Sequence, residues 1–236
     1  MMNYPLYIFF GLAPSFIWLL FFLRKDSHPE PHATVLKIFF YGMLSAIPVA
    51  LIELGAADLF KSTYLPSFLV QTLYIFLGVA LIEEVFKYLV VRQKVLQHPA
   101  LDEPVDLILY MIIAALGFAA LENLLILFPM TNPFQFLETF LVSSFRFVGA
   151  TFLHALCSGL IGYFLALSFF ESKHRLKLTI QGLILAIVLH GLYDFSIIKI
   201  EGSFRFVLPV IILIGLAVFV SWGFKKVKKL KSVCKI

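Results

Sequence analysis

The sequence predicts an all-α polytopic membrane protein, a bundle of about seven transmembrane helices around a polar intramembrane cavity. Of its 236 residues, 61% are hydrophobic, and the mean hydropathy is +0.97. Soluble domains are nearer to half apolar, and several runs here approach the roughly 20 residues needed to cross a bilayer. A water-soluble globular domain is therefore excluded. No internal repeat or soluble module is visible, so residues 1–236 are predicted to form one membrane domain.

Seven apolar segments follow one another along the chain, separated by short loops that contain Pro. The predicted spans are residues 4–23, 35–57, 67–91, 106–128, 136–170, 178–198 and 206–224. The first is predicted to be a retained helix, because it lacks the basic start and cleavage site of a signal peptide. The fifth is too long for one simple crossing, so we expect it to tilt, extend beyond the bilayer or begin with an interfacial turn.

The basic residues indicate the orientation of the bundle. One set of flanks carries Arg24, Lys25, Lys37, Arg92, Lys94, Lys173, Arg175, Lys177, Lys225, Lys226, Lys228, Lys229, Lys231 and Lys235. The opposite flanks carry only Lys61, Lys199 and Arg205. The positive-inside rule therefore predicts an external N-terminus and a cytoplasmic C-terminus in the cell membrane. The basic tail follows a span directly, so its predicted partner is anionic lipid and not nucleic acid.

The third span contains three charged residues within one helical turn, Glu83, Glu84 and Lys87. Ionisable groups in hydrocarbon cost roughly 2.5–3.5 kcal/mol each, so they normally face one another or a wet cavity and mark function. At spacings of three and four residues, one ammonium can contact both carboxylates. Such an arrangement can separate acid and base roles. The alternative is a structural ion pair that fixes this helix in the bundle.

The fourth and fifth spans add further polar groups. Glu122 and Asn123 are adjacent in the fourth span, where Glu122 can bind a metal, orient a histidine or hydrogen-bond to a facing helix. The fifth span places Arg146, His154 and Ser158 on one face at multiples of four residues. Arg146 cannot lose its charge, so it requires a carboxylate, a carbonyl or water. These residues predict a paired or wet interior.

The sixth span carries His190 and Asp194 one helical turn apart. The carboxylate can hold the imidazole in one tautomer or charge state. A satisfied pair that ties helices together is the structural alternative. Four separate helices with such costly groups nevertheless favour one shared site.

These motifs, in this order, resemble those of the PrsW intramembrane proteases. The matching residues are Glu83-Glu84-x-x-Lys87, Phe118-x-x-x-Glu122-Asn123, His154-x-x-x-Ser158 and His190-Gly191-x-Tyr193-Asp194, with Asp26-x-x-x-Pro29-Glu30-Pro31 after the first span. The likeness extends to the glutamic membrane-protease superfamily, which includes the type 2 CAAX-prenyl proteases and the bacterial CPBP proteins. The prenyl proteases have a histidine at the position of Glu122 and an asparagine at that of Asp194. Those departures favour PrsW.

The resemblance implies hydrolysis of a peptide bond within or beside the membrane by a glutamate-activated water. From the residues, we expect Glu83 or Glu84 to be the general base, with Lys87 tuning it. His154 and His190 are the candidates to polarise the scissile carbonyl. The expected supporting residues are Lys87, Glu122, Asn123, Arg146, Ser158 and Asp194.

Family likeness also implies a membrane-anchored protein substrate, such as an anti-sigma factor. No cofactor is expected, but two alternatives stay open on the residues alone. A His₂-carboxylate set can hold a divalent metal that activates water, although the chain has no HExxH motif. Buried acids and histidines also carry protons or cations in transporters. A silent scaffold that binds a single-span partner is a third possibility.

The predicted depths of these residues do not agree. Counted from the span ends, Glu83 and Glu84 lie toward the cytoplasm. The residues that lie toward the exterior are Glu122, Arg146, His190 and Asp194. They can meet only if the helices are offset, tilted or broken, around a funnel-like cavity near mid-bilayer. Glu53 lies near the predicted outer end of the second span and is expected to be interfacial and structural.

Overall fold

The computed structural model describes residues 4–25, 29–96, 101, 103–128, 136–170 and 172–229, and these residues form a helical bundle. In chain order the helices are α1 (Tyr4–Leu23), α2 (His32–Lys61), α3 (Ser67–Leu73), α4 (Leu81–Lys94), α5 (Pro104–Leu127), α6 (Phe136–Val148), α7 (Ala150–Phe170), α8 (Arg175–Lys199) and α9 (Phe204–Val227). The predicted fold class is therefore confirmed. Asp26, Lys231 and Lys235 lie outside the described residues.

Within the part of the chain that the structure describes, six helical segments are long and apolar enough to cross a membrane. They are His32–Lys61, Ser67–Lys94, Pro104–Leu127, Leu137–Phe169, Arg175–Lys199 and Phe204–Val227. Helix α1 adds a shorter apolar stretch, Tyr7–Leu23, where the sequence predicts the first of seven spans. The protein is thus a multi-pass membrane protein.

Helix α5 forms the centre of the bundle. Its apolar window is 94% buried, whereas only 28% of the corresponding window of α9 is buried. Pro104 occupies its first turn, and a capping box between Glu103 and Asp106 satisfies the free N–H groups there. Because α5 is surrounded by α1, α2 and α7, polar groups near its C-terminal end can be contacted from several directions.

Helices α2 and α5 approach one another closely through glycine. A Cβ added to Gly117 would lie 2.0 Å from the Phe39 carbonyl oxygen, and one added to Gly42 would lie 2.1 Å from the Ala114 oxygen. No larger residue fits such a contact without movement of the backbone. This close packing holds α2 against the helix that carries Glu122.

The segment Tyr74–Ala80 joins α3 to α4 as a π-helix, so Ser67–Lys94 is one continuous helix. A π-helical turn contains more residues than an α-helical turn and therefore rotates the face that follows it. Glu83 and Glu84 come directly after this segment. The π-helix thus sets the direction in which both carboxylates enter the bundle.

The long fifth predicted span is divided into two helices at Gly149. Backbone hydrogen bonds continue across the break, from Gly149 N–H to the Phe145 oxygen and from Leu153 N–H to the Gly149 oxygen, both 2.8 Å. A Cβ at Gly149 would lie 2.3 Å from the Tyr193 hydroxyl oxygen, so glycine lets the Tyr193 side chain of α8 approach the backbone closely at this position. The break places Arg146 at the end of α6 and His154 in the first turns of α7.

Candidate active site

The ammonium group of Lys87 lies at the centre of a buried polar cluster. Its Nζ donates to Glu84 Oε1 at 2.6 Å, to His154 Nδ1 at 2.9 Å and to Glu83 Oε2 at 3.3 Å. An ammonium has three N–H donors, so all three are used. The side chains of Lys87 and Glu84 have no exposed surface. Burial of this charge is possible because two carboxylates of the same helix flank it.

His154 connects Lys87 to the central helix. Since Lys87 can only donate, Nδ1 of His154 must accept, which leaves the ring proton on Nε2. That nitrogen lies 2.8 Å from Glu122 Oε2. The contacts therefore define a neutral His154 whose Nε2–H donates to Glu122.

His190 is surrounded by carboxylates. Its Nδ1 lies 2.8 Å from Glu84 Oε1, and its Nε2 lies 3.3 Å from Asp194 Oδ2 and 3.9 Å from Glu83 Oε2. Carboxylate oxygens accept hydrogen bonds, so both ring nitrogens are placed to donate. This is the environment of a doubly protonated imidazole. The ring of His190 packs edge-on against that of His154, with centroids 5.1 Å apart.

Arg146 closes the cluster at the end of α6. Its Nη2 lies 3.0 Å from Glu122 Oε1, and its Nε donates to Asn123 Oδ1. The Asn123 amide in turn donates to Thr151 Oγ1 at 3.1 Å. Arg146 thus connects α6 with two adjacent residues of α5, and Asn123 extends the network to α7.

The structure brings nearly all the predicted site residues together. The cluster contains four carboxylates and three groups placed as cations, and its residues come from α4, α5, α6, α7 and α8: Glu83, Glu84, Lys87, Glu122, Asn123, Arg146, His154, His190 and Asp194. They meet because the helices are offset, with Glu84 near the middle of Ser67–Lys94 and Glu122 near the end of α5. Where the sequence predicts a polar cavity, these groups contact one another directly.

Ser158 is the exception among the predicted residues. It lies on α7 one turn beyond His154 and is fully buried. Its hydroxyl has no hydrogen-bond partner within the part of the chain that the structure describes. Helical spacing correctly predicted that Ser158 lies on the same face of α7 as His154. The polar contacts of this face end at His154, one turn before Ser158.

Glu53 lies deeper in its helix than the sequence predicts. The predicted span ended at residue 57, whereas α2 continues to Lys61, so Glu53 lies two turns inside the helix. Its Oε1 is buried without a hydrogen-bond partner among the described residues. Thr151 was missed, because a lone Thr in a membrane helix is unremarkable.

Four side chains of the cluster offer donor atoms of the kind that bind metal ions. Glu83, Glu84, His154 and His190 each offer a ligand atom, and these atoms lie within 4.8 Å of one another. Imidazole and carboxylate donors suit Zn²⁺. However, the Lys87 ammonium already binds Glu84 Oε1 and His154 Nδ1. Two unit charges 3 Å apart repel by roughly 5 kcal/mol at an effective dielectric constant of about 20, and a dication doubles this. As arranged, the cluster does not fit a divalent metal.

Comparison with known proteins finds relatives over most of the chain. A family model described as PrsW family intramembrane metalloprotease matches residues 30–222. The chain is 30% identical over 233 residues to a protein named Protease PrsW from Bacillus subtilis, covering 94% of each chain. Proteins of the same name from Oceanobacillus iheyensis and Geobacillus kaustophilus are 31% and 33% identical, covering 86% and 81% of this chain and 88% and 79% of theirs.

No solved structure gives a significant match to this one.

Proposed function

This chain belongs to the PrsW family of intramembrane proteases, and we propose that it hydrolyses a peptide bond of a membrane-associated protein with a water molecule activated by glutamate. The observation that carries the proposal is the position of Glu83. Its carboxylate faces the rings of both His154 and His190, at 3.5 Å and 3.9 Å. Hydrolysis of an amide requires a general base that activates water and a donor that stabilises the oxyanion. A carboxylate beside two imidazoles supplies both groups.

We assign the general base to Glu83 and not to Glu84. Glu84 Oε1 is fixed by Lys87 at 2.6 Å and His190 at 2.8 Å, and its side chain has no exposed surface. Glu83 makes longer contacts and retains 6% exposure of its side chain. A base must reach a water molecule, so the less constrained carboxylate suits this role. Glu84 then acts as a positioning residue for Lys87 and His190.

The proposed reaction has two stages. Glu83 accepts a proton from water, and the resulting hydroxide attacks the carbonyl carbon of the scissile bond. A donor N–H of His190 stabilises the oxyanion that forms, an interaction typically worth about 10²- to 10³-fold in rate. When the C–N bond breaks, Glu83 passes the proton that it took from water to the leaving amine. The products are a carboxylic acid and an amine, and Glu83 returns to its ionised form.

His154 positions the groups that react. Because its Nδ1 accepts from Lys87 and its Nε2 donates to Glu122, its ring orientation is fixed at both ends. Arg146 holds Glu122 in turn. This chain of contacts keeps Lys87 in place beside Glu83.

The substrate is proposed to reach the cluster from its less buried side. The side chains of Glu122 and Asp194 are 26% and 25% exposed, whereas those of Glu84 and Lys87 are fully buried. Glu122 and Asp194 lie near the C-terminal ends of α5 and α8, the ends with few basic residues. By the positive-inside rule this side is external, with the C-terminus in the cytoplasm. A membrane-anchored substrate of the anti-sigma-factor kind, cut on its outer side, fits this arrangement.

We also propose that the reaction proceeds without a metal, because Lys87 occupies the donor atoms that an ion would need. The purified protein is expected to contain far less than one zinc per chain and to keep its activity after chelation. Stoichiometric zinc, removed together with activity, would show that Lys87 moves aside for a metal.

The peptidase activity is tested by comparing the N-termini of membrane proteins from cells that produce the wild-type chain or Glu83→Gln. New N-termini should appear only with the wild type. The matched control is Asp58→Asn, which removes an exposed acid of α2 that pairs with Lys61. Identical N-termini in all three cultures, with the protein present in the membrane, would reject the proposal.

A further inference from the structure

A groove lies between α1, α7 and α9, away from the polar cluster. Its cavity volume is about 340 Å³, and its walls include Trp18 and Phe22 of α1, Phe152 and Leu156 of α7, and Phe224 of α9. Ligand pockets typically have volumes of about 300–1,000 Å³. The groove is therefore large enough to hold part of an apolar chain.

Three lysines lie at one end of this groove. Lys25 follows α1, while Lys225 and Lys228 lie at the end of α9, and all three line the cavity. Lys228 Nζ donates to the backbone oxygen of Lys25, which brings the two helix ends together. The three side chains are exposed, so their ammonium groups can bind a ligand at the membrane surface. An acceptor with negative charge is required to complement them.

The groove continues from these lysines into the hydrophobic region. Ala217 also lines it, and the stretch of α9 from Ala217 to Lys228 rises about 16 Å at roughly 1.5 Å per residue. Its lining is aliphatic and aromatic at depth, with Ser221 as a small polar exception. A ligand that fits both parts has an anionic head at the surface and an apolar tail that extends inward.

We propose that this groove binds one anionic phospholipid, with its phosphate between Lys25, Lys225 and Lys228 and an acyl chain against Trp18, Phe152 and Leu156. Charge complementarity and the position at two helix ends support this occupant. Each lysine near a membrane surface contributes roughly fivefold to affinity for an anionic lipid. A transmembrane peptide would fill the apolar part but would bring no negative charge to the three ammonium groups.

The two tryptophans of the chain provide a direct test. Trp18 lines the groove, whereas Trp222 lies outside it, so the Trp222→Phe variant has one fluorescent probe in the groove. The full-length variant is reconstituted in nanodiscs of phosphatidylcholine that contain a small fraction of brominated lipid. Bromine quenches tryptophan only at short range. Brominated phosphatidylglycerol is expected to quench Trp18 more strongly than brominated phosphatidylcholine at the same fraction.

Variants that remove charge distinguish specific binding of lipid in the groove from nonspecific electrostatic attraction between basic residues and the membrane surface. The groove triple, Lys25→Gln with Lys225→Gln and Lys228→Gln, should reduce the apparent affinity for phosphatidylglycerol about tenfold or more. The matched control is Arg24→Gln with Lys226→Gln and Lys229→Gln. It removes the same charge from the same two helix ends, but these residues do not line the groove. The control should retain the preference for phosphatidylglycerol.

Ala217→Leu supplies a second variant that leaves the charge unchanged. The added side chain fills part of the groove and should lower quenching by either brominated lipid. Equal quenching of the Trp222→Phe protein by both lipids would overturn the proposal. An equal loss in the two charge triples would also overturn it, since that result indicates surface attraction alone. Quenching that persists after the groove is filled would place the lipid elsewhere.

Discussion

Helix α7 separates two regions of opposite chemistry. His154 points into the polar cluster, where it contacts Lys87 and Glu122. Phe152 and Leu156, two residues away on either side, line the apolar groove. Two residues correspond to about 200° around a helix, so the two regions lie on opposite faces. A single regular helix therefore contributes residues to the cluster on one face and to the groove on the other.

The two regions differ in where their charged groups lie relative to the protein surface. In the cluster, Glu83, Glu84 and Lys87 are buried and lie against opposite charge, and the partly exposed Glu122 is paired with Arg146. In the groove, the charges stay at the surface, and the buried part is apolar. A buried charge without its partner is costly, whereas an exposed lysine at a helix end is not. The cluster is thus sensitive to single substitutions that the end of the groove should tolerate.

Glu83→Gln is expected to have the largest effect. Loss of a general base typically reduces the rate by 10²- to 10⁴-fold. The folded structure should change little, because Gln keeps the size of the side chain and the contacts of Glu83 are long. Cleavage of a substrate found by comparing N-termini, measured in proteoliposomes, gives the rate. A loss below tenfold would transfer the role of base to Glu84.

Lys87→Met tests the dependence of the cluster on paired charge. Removing one partner of a buried ion pair typically costs about 3–5 kcal/mol, because the remaining charges stay buried. We expect a strong decrease in the midpoint of thermal unfolding in detergent. Lys61→Met is the control, since Lys61 pairs with Asp58 at 76% exposure and 3.9 Å. Similar midpoints for the two variants would show that the cluster relaxes or takes up water when Lys87 is lost.

Arg146→Gln should have a smaller effect on stability. Its side chain is 16% exposed and Glu122 is 26% exposed, so water can replace part of the lost interaction. A hydrogen bond to a charged group contributes about 1.5–3 kcal/mol, and we expect the lower end of this range or less. Thermal unfolding measures this loss. A decrease as large as that of Lys87→Met would indicate that Arg146 holds α6 in place as well.

Ser158→Ala should have the smallest effect. The hydroxyl is buried and lacks a hydrogen-bond partner among the described residues, so its removal costs no interaction and relieves desolvation. The unfolding midpoint should stay the same or increase. A clear decrease would reveal a partner for Ser158, such as bound water, and would return this residue to the site.

Much of the site was predictable because ionisable residues are rare in apolar helices. Glu83, Glu84, Lys87, His154 and His190 were all found by their cost in hydrocarbon and by their ordered motifs. Their pairing was only partly predictable. Helical spacing gave the contacts of Lys87 with its own helix, but not its contact with His154, because a contact between helices depends on packing and depth.

Depth was the property that the sequence predicted least well. Predicted span ends placed Glu53 near the end of its span, but the observed α2 is longer. They also placed the acids of α4 and α5 on different levels, so that an offset of the helices was required, and the structure shows this offset. For the long fifth span the sequence predicted a tilt, an extension or an interfacial turn, and the structure divides it at Gly149, where Tyr193 approaches the backbone. Hydropathy reports how apolar a segment is, but not where along its length it meets a neighbour.

The sequence by itself determined a helical membrane bundle, its family, and the residue types that supply its polar interior. These follow from composition and spacing, which are local properties of the chain. Only the tertiary structure decided that Lys87 takes the donor atoms of Glu84 and His154, that His190 lies between Glu84 and Asp194, and that α1, α7 and α9 leave a groove with lysines at one end. Those features depend on the relative height and rotation of packed helices, which no single segment encodes.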